Sequence, residues 1–208
     1  MSNVLFIKAN NRPAEQAVSV QLYNAFLSSY KEAHPEDQVT ELDLFAEQLP
    51  YYDNTLITGV FKANQGLEAT AEEAAGAANV KKYLDQFLAA DKVVFAFPLW
   101  NMTVPAVLHT YIDYLNQAGT AFKYTAEGPV GLITGKKAAV LNARGGVYSE
   151  GPAAAAEMAV NFILGNLRFW GFQDITQVII EGHNQNPTES ANIIAAGLDL
   201  AKTEAAKF

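Results

Sequence analysis

Four stretches of the chain are almost continuously apolar: Val4–Ile7, Lys92–Phe97, Lys137–Leu141 and Ile175–Ile180. A strand with one wet face alternates apolar and polar residues, whereas a strand covered on both faces does not. These stretches therefore predict buried parallel strands between layers of helix. A fifth, Val39–Leu44, does alternate, and predicts an edge strand with one face partly wet. Between the strands the spacing turns helical. Val18, Leu22, Ala25, Phe26 and Ser29 fall at i, i+4, i+7, i+8 and i+11, which is one helix face. His34-Pro35 closes that helix, because a residue before proline avoids the α region. A second helix is predicted over 68–90, with Val80, Tyr83, Leu84 and Phe87 as its apolar stripe. Further helices are predicted over 105–116, opening at Pro105, over 153–170 and over 188–205.

Strands alternating with helices specify a parallel sheet with right-handed crossovers. Five strands in this pattern predict the order 2-1-3-4-5 of a flavodoxin-like three-layer α/β sandwich. No repeat or linker divides the chain, so residues 1–208 are expected to form one domain. The stretch 116–135 carries Gly119, Gly128, Pro129, Gly131 and Gly135 and predicts a long excursion rather than a helix. Long loops in compact domains are usually functional.

Composition narrows the chemistry. The net charge of −8 argues against a nucleic-acid surface or an anionic membrane as partner. It leaves room for an anionic cofactor held by backbone N–H groups. With no cysteine, disulfides, thiolate catalysis and Cys-ligated metal are excluded. His34, His109 and His183 are far apart in sequence, which predicts no metal site. The opening MSNVLFIKA is too soon polar for a secretory core, and no apolar run reaches the roughly 20 residues of a membrane helix. A soluble, cytoplasmic protein is the expectation.

In open α/β sheets ligands bind beyond the carboxyl ends of the strands, where strand order reverses. Three loops are predicted to meet there. The first, Ala9–Ser19, lacks the Gly-rich patterns of nucleotide-triphosphate and dinucleotide loops. Its Ser19 reads either as a simple N-cap or as a phosphate ligand beside free helix N–H groups. The second, Pro98–Pro105, holds Leu99, Trp100, Asn101 and Met102. Asn101 can donate and accept at once, which suits the polar edge of a flavin, or it can cap the helix that follows. In the third, Gly145-Gly146 admits a flat ligand close to the backbone, and Arg144 either offsets negative charge there or is solvated or salt-bridged. His109 lies within a helix as a surface or packing residue. His183 follows the last strand, as a pocket-rim group or a solvated loop histidine.

At these loops the sequence resembles the FMN-dependent NADH-azoreductase family, relatives of the NAD(P)H:quinone reductases. The resemblance rests on Val4–Ala9, Pro98–Met102, Ala118–Thr125, Gly128–Leu132, Thr134–Lys137, Ala143–Gly146, Gly151-Pro152 and Glu181-Gly182, in this order and spacing. It implies bound FMN, NADH or NADPH as reductant, and a homodimer whose two sites are each completed by the partner. It implies that Pro98, Leu99, Trp100, Asn101 and Met102 clasp the flavin ring. Ala143, Arg144, Gly145 and Gly146 would meet the same edge, and Ser19 would hold the phosphate. The same resemblance nominates Tyr124 as a wall of the substrate pocket; Phe122 of the same loop and His183, from its place after the last strand, are the further pocket candidates. Ala9 and Ala17 stand where family members often carry serine, which shifts the phosphate onto Ser19, backbone N–H groups, Arg12 and Gln16. The implied reaction is a ping-pong hydride transfer to a quinone or azo compound, with no side chain as nucleophile. The rivals are a flavodoxin-like electron carrier with no NAD(P)H step of its own, and a flavin-free α/β domain.

Overall fold

A computed structural model describes residues Met1–Phe208. Five parallel strands form the central sheet: β1 (Asn3–Lys8), β2 (Gln38–Asp43), β3 (Lys92–Pro98), β6 (Lys137–Arg144) and β7 (Asp174–Glu181), in the order β2-β1-β3-β6-β7. This is the predicted order 2-1-3-4-5. Only the numbering differs, because the excursion contributes β4 (Phe122–Thr125) and β5 (Gly128–Gly131), an antiparallel hairpin outside the main sheet.

Both faces of the sheet are covered, which is why the strand segments read as unbroken apolar runs. Along β1, Leu5 and Ile7 pack into one core while Val4 and Phe6 pack into the other. The first core lies under α2 (Asn54–Gln65), α3 (Ala71–Ala89), α4 (Ala106–Leu115) and α5 (Val160–Trp170). The second lies under α1 (Val18–Ala33) and α6 (Ser190–Lys207). β2 keeps only Leu42 buried, in keeping with an edge strand.

Three local differences from the sequence reading have physical causes. The helix expected over 68–90 starts at Ala71, fixed by a capping box of Thr70 with Glu73. An unforeseen helix, α2, precedes it. Its punctuation was present: Asp53 accepts N–H bonds from Thr55 and Leu56, both at 3.0 Å, and Gly66 closes the helix at φ 65°. The two helices pack so closely that a Cβ on Gly59 would lie 2.2 Å from the Glu73 carbonyl oxygen. The segment over 153–170 splits into a 3-10 turn at Pro152–Ala156 and α5, because Glu157 turns its carboxylate back to cap α5 at Ala159, Val160 and Asn161.

Candidate functional site

The three predicted loops do meet at the carboxyl rim of the sheet. They border a cleft of about 440 Å³. The first loop supplies Arg12, Gln16 and Ser19, together with Asn10. The second supplies Pro98, Leu99 and Trp100, and the third Ala143, Arg144 and Gly145. His183 and Asn184 close one side, and Ser190 and Ile194 of α6 complete the wall.

One end of this cleft is built for an anion. α1 begins at Val18 with Ala17 as its N-cap, so Ser19 is not the capping residue. Ser19 sits inside the first turn, buried, and its Oγ accepts a 2.9 Å bond from the Asn10 amide. Asn10 in turn accepts the Arg12 N–H at 3.0 Å. With its oxygen engaged, the Ser19 hydroxyl keeps its proton to donate. The first carbonyl-bound N–H of α1 belongs to Val20, which leaves the N–H groups of Val18 and Ser19 free at the helix start.

The other end is backbone-rich. Leu99 donates its N–H to the Ala143 carbonyl at 3.2 Å, which ties the second loop to the third. The carbonyls of Arg144, Gly145 and Gly146 are all taken by N–H groups of the loop after β7, from Gly182, Asn184 and Gln185. The N–H groups of Gly145 and Gly146 donate to nothing in the chain and remain available. A Cβ on Gly145 would lie 2.4 Å from Asn184 Nδ2, so glycine here is required by Asn184 itself. His183 is buried with Nδ1 unpartnered, and burial holds its imidazole below the usual range, in the neutral form at pH 7.

The second loop turns back on itself. Trp100 and Thr103 exchange N–H···O bonds of 3.0 and 3.1 Å across Asn101 (φ 50°) and Met102 (φ 69°). Two positive φ values in sequence define a type I′ turn. Asparagine tolerates that region, but methionine is strained in it. The turn also settles the alternative for Asn101: the N-cap position of α4 belongs to Pro105, so Asn101 caps nothing. Asn101 borders a neighbouring, wider cleft of about 820 Å³ with Phe45, Tyr51 and Val107, and Trp100 is the wall common to both.

Arg144 borders the cleft but takes the salt-bridged alternative rather than the charge-offsetting one. Its guanidinium does not face the cleft as a free charge. It lies 3.3 Å from Glu157 and 2.8 Å from Glu181, with its side chain only 3% exposed. Burial alone would raise the Glu181 carboxyl, but bonds from Ser149, the Tyr148 N–H and Arg144 outweigh it and hold the group below the usual carboxylate range.

Residues 2–203 match the flavodoxin-like fold family. The chain is 64% identical, over 100% of both chains, to an FMN-dependent NADH:quinone oxidoreductase of Bacillus cereus, and 61% identical, again over both full lengths, to one of Bacillus subtilis. The protein belongs to the FMN-dependent NADH:quinone oxidoreductase and azoreductase family. Among solved structures, an azoreductase from Bacillus anthracis superposes with a TM-score of 0.98 at 64% identity, covering 100% of each chain. An FMN-dependent NADH-azoreductase of the same organism, solved with FMN, superposes at 0.86 with 28% identity, covering 99% of this chain and 100% of that one.

Not every residue expected at this family site is gathered there. Met102 borders neither rim cleft, and Gly146 stands just behind Gly145. Phe122 and Tyr124 lie on the β4–β5 hairpin, whose base is anchored at the far end of α5. Phe122 packs 4.4 Å from Phe169, and the Ile133 N–H bonds the Trp170 carbonyl at 2.8 Å. α5 leaves the carboxyl rim and ends at the opposite edge, so the hairpin does not wall the cleft of its own chain. His109 behaves as expected of a helix surface residue, stacking on Phe162 at 4.8 Å. Asn10, inside the first loop, was not singled out there, and Asn184, Ser190 and Ile194 were not foreseen because only sheet register brings the segment after β7 to the cleft. A separate apolar cleft of about 500 Å³ between α2 and α3 borders no strand residue and stands apart from this chemistry. No helix is long and apolar enough to cross a membrane.

Proposed function

We propose that this protein is an FMN-dependent NAD(P)H oxidoreductase that reduces quinones and azo compounds. The observation that carries this reading is one cleft with a donor-lined, anion-binding end and a flat, backbone-lined end, at the switch in strand order. The residues fit FMN. Ser19, the N–H groups of Val18 and Ser19, and Arg12 at the mouth suit its phosphate. The free N–H groups of Gly145 and Gly146 suit the carbonyl edge of a flavin, and Leu99 and Trp100 suit its ring. When bound, FMN takes a hydride from NADH or NADPH and passes it to the acceptor.

The chain's own part is orientation and exclusion of water. Asn10 aims the Ser19 hydroxyl, Asn184 locks the Gly145 turn, and neutral His183 adds no charge to the cleft wall. The strained Asn101–Met102 turn holds Trp100 between the cofactor cleft and the wider neighbouring one, where a flat acceptor docks. Residues 1–208 act as one flavodoxin-like unit, working in the cytoplasm as a homodimer. Support for the dimer comes from Tyr124, 75% exposed on a hairpin that serves no site of its own chain. In this reading the partner subunit's Tyr124 completes the acceptor pocket.

The test is the visible spectrum of the purified protein with FMN, before and after anaerobic NADH. A yellow protein that bleaches and recovers colour on adding a quinone is expected. A flavin that stays oxidised under NADH would instead indicate an electron carrier, and a protein that never holds FMN would overturn the reading.

A further inference from the structure

The end of β6 carries a buried ionic cluster whose charges do not cancel. The Arg144 guanidinium sits between two carboxylates, with Nη1 3.3 Å from Glu157 Oε1 and both Nη2 and Nε 2.8 Å from Glu181 Oε2. Each carboxylate does a second job. Glu157 accepts the N–H groups of Ala159, Val160 and Asn161 and so starts α5. Glu181 accepts the N–H groups of Tyr148 at 2.9 Å and Ser149 at 3.1 Å, and the Ser149 hydroxyl. The cluster therefore grips Gly145-Gly146 from both sides, at Arg144 before the pair and at Tyr148–Ser149 after it. Its formal sum is one negative charge; Arg144 is the member that borders the cleft, Glu157 is buried, and Glu181 keeps about a fifth of its side chain exposed.

We propose that Arg144 is a positioning residue: with Glu157 and Glu181 it fixes the free N–H groups of Gly145 and Gly146 toward the flavin ring, and the surplus carboxylate charge of this triad disfavours the reduced, anionic cofactor relative to the oxidised one. The proposal rests on the flavin reading of the cleft. It explains why a buried arginine is spent on two carboxylates rather than on the ligand. Buried ion pairs are poor sources of stability, and a fork that fixes geometry is their better-attested use.

Two variants separate the parts. In Glu181→Gln the amide oxygen still accepts from Arg144, Tyr148 and Ser149, while the amide nitrogen donates to the Ser149 hydroxyl. Geometry is kept and the surplus charge is removed. The affinity ratio of reduced to oxidised FMN should then rise on the order of tenfold, a midpoint potential about 30 mV higher for a two-electron couple. Arg144→Lys keeps the charge and loses the fork. It should weaken FMN and riboflavin by the same factor, on the order of tenfold, because the ring end is common to both.

Titration by flavin fluorescence quenching and redox titration of the bound cofactor read these effects, with circular dichroism reporting the fold. Loss of FMN binding with riboflavin unchanged would place Arg144 at the phosphate and overturn the proposal. So would unchanged affinity for both. An unmoved or lowered potential in Glu181→Gln overturns the charge argument even if Arg144→Lys fails to fold. If the unaltered protein binds neither flavin, the reading of the cleft itself is wrong; if it binds both and the variants change nothing, only this inference fails.

Discussion

Replacing Gly145 with alanine puts one methyl group into a space that Asn184 already fills. The added carbon would lie 2.4 Å from Asn184 Nδ2 and 3.0 Å from its Cβ and Cγ. The Asn184 N–H bond to the Gly145 carbonyl at 2.9 Å holds the Asn184 backbone close, so its amide must leave its present rotamer to make room. The overlap is relieved by that rotation together with a shift of the β6 and β7 loops. Overpacking of this kind costs about 1–3 kcal/mol. Urea denaturation of the apoprotein should report that loss, and FMN titration should show weaker binding, since the displaced turn carries the unpaired N–H groups of Gly145 and Gly146. The double variant Gly145→Ala with Asn184→Ala removes the amide and leaves only a 3.0 Å contact. It should recover most of both losses, with a coupling of about 1–2 kcal/mol in the double-mutant cycle. Additive effects would refute the argument. Stability recovered without FMN affinity would mean that the glycine is there for the ligand's close approach, as the sequence alone suggests, and not for Asn184.

Two further outcomes follow from other parts of the fold. The Tyr30 hydroxyl and the Ser2 N–H, bonding Asp37 at 2.6 Å each, hold its carboxyl down to about 2. A depressed carboxyl stabilises the fold above its unfolded value near 3.9 and loses that contribution as pH falls toward 2. Asp37→Asn should therefore cost about 1–2 kcal/mol at pH 7, after allowance for solvent screening, and flatten the acid limb of a stability–pH curve between pH 4 and 2. A limb of unchanged steepness would count against it. Met102→Gly relieves a left-handed methionine, worth about 1–2 kcal/mol, against about 0.5–1 kcal/mol of added chain entropy. Thermal unfolding should show a stability equal to the parent's or slightly higher, whereas a clear loss would mean that the Met102 side chain, not its backbone, is what the turn needs.

How much the sequence disclosed depended on the range of the interaction. Strand runs such as Val93–Phe97 announced burial on both faces because successive side chains point to opposite sides of a sheet. That local rule gave the element order, the edge character of β2 and the rim where the loops meet. Its signal was missed at α2, although Asp53 and Gly66 mark both ends and Leu56, Val60 and Ala63 fall on one face between them. It failed for Ser19 by two residues of helix start, enough to turn a supposed cap into a hydroxyl donor. The tertiary structure alone decided which charges are free. Arg144 and Glu181 are 37 residues apart yet sit side by side in register on β6 and β7. Tyr124, whose motif pointed to the site, is carried away from the carboxyl rim by α4, which runs back antiparallel to the strands before the hairpin begins. Periodicity is written into the backbone's own geometry and can be read along the chain. A charge's partner is set by strand register, which depends on the whole sheet having formed.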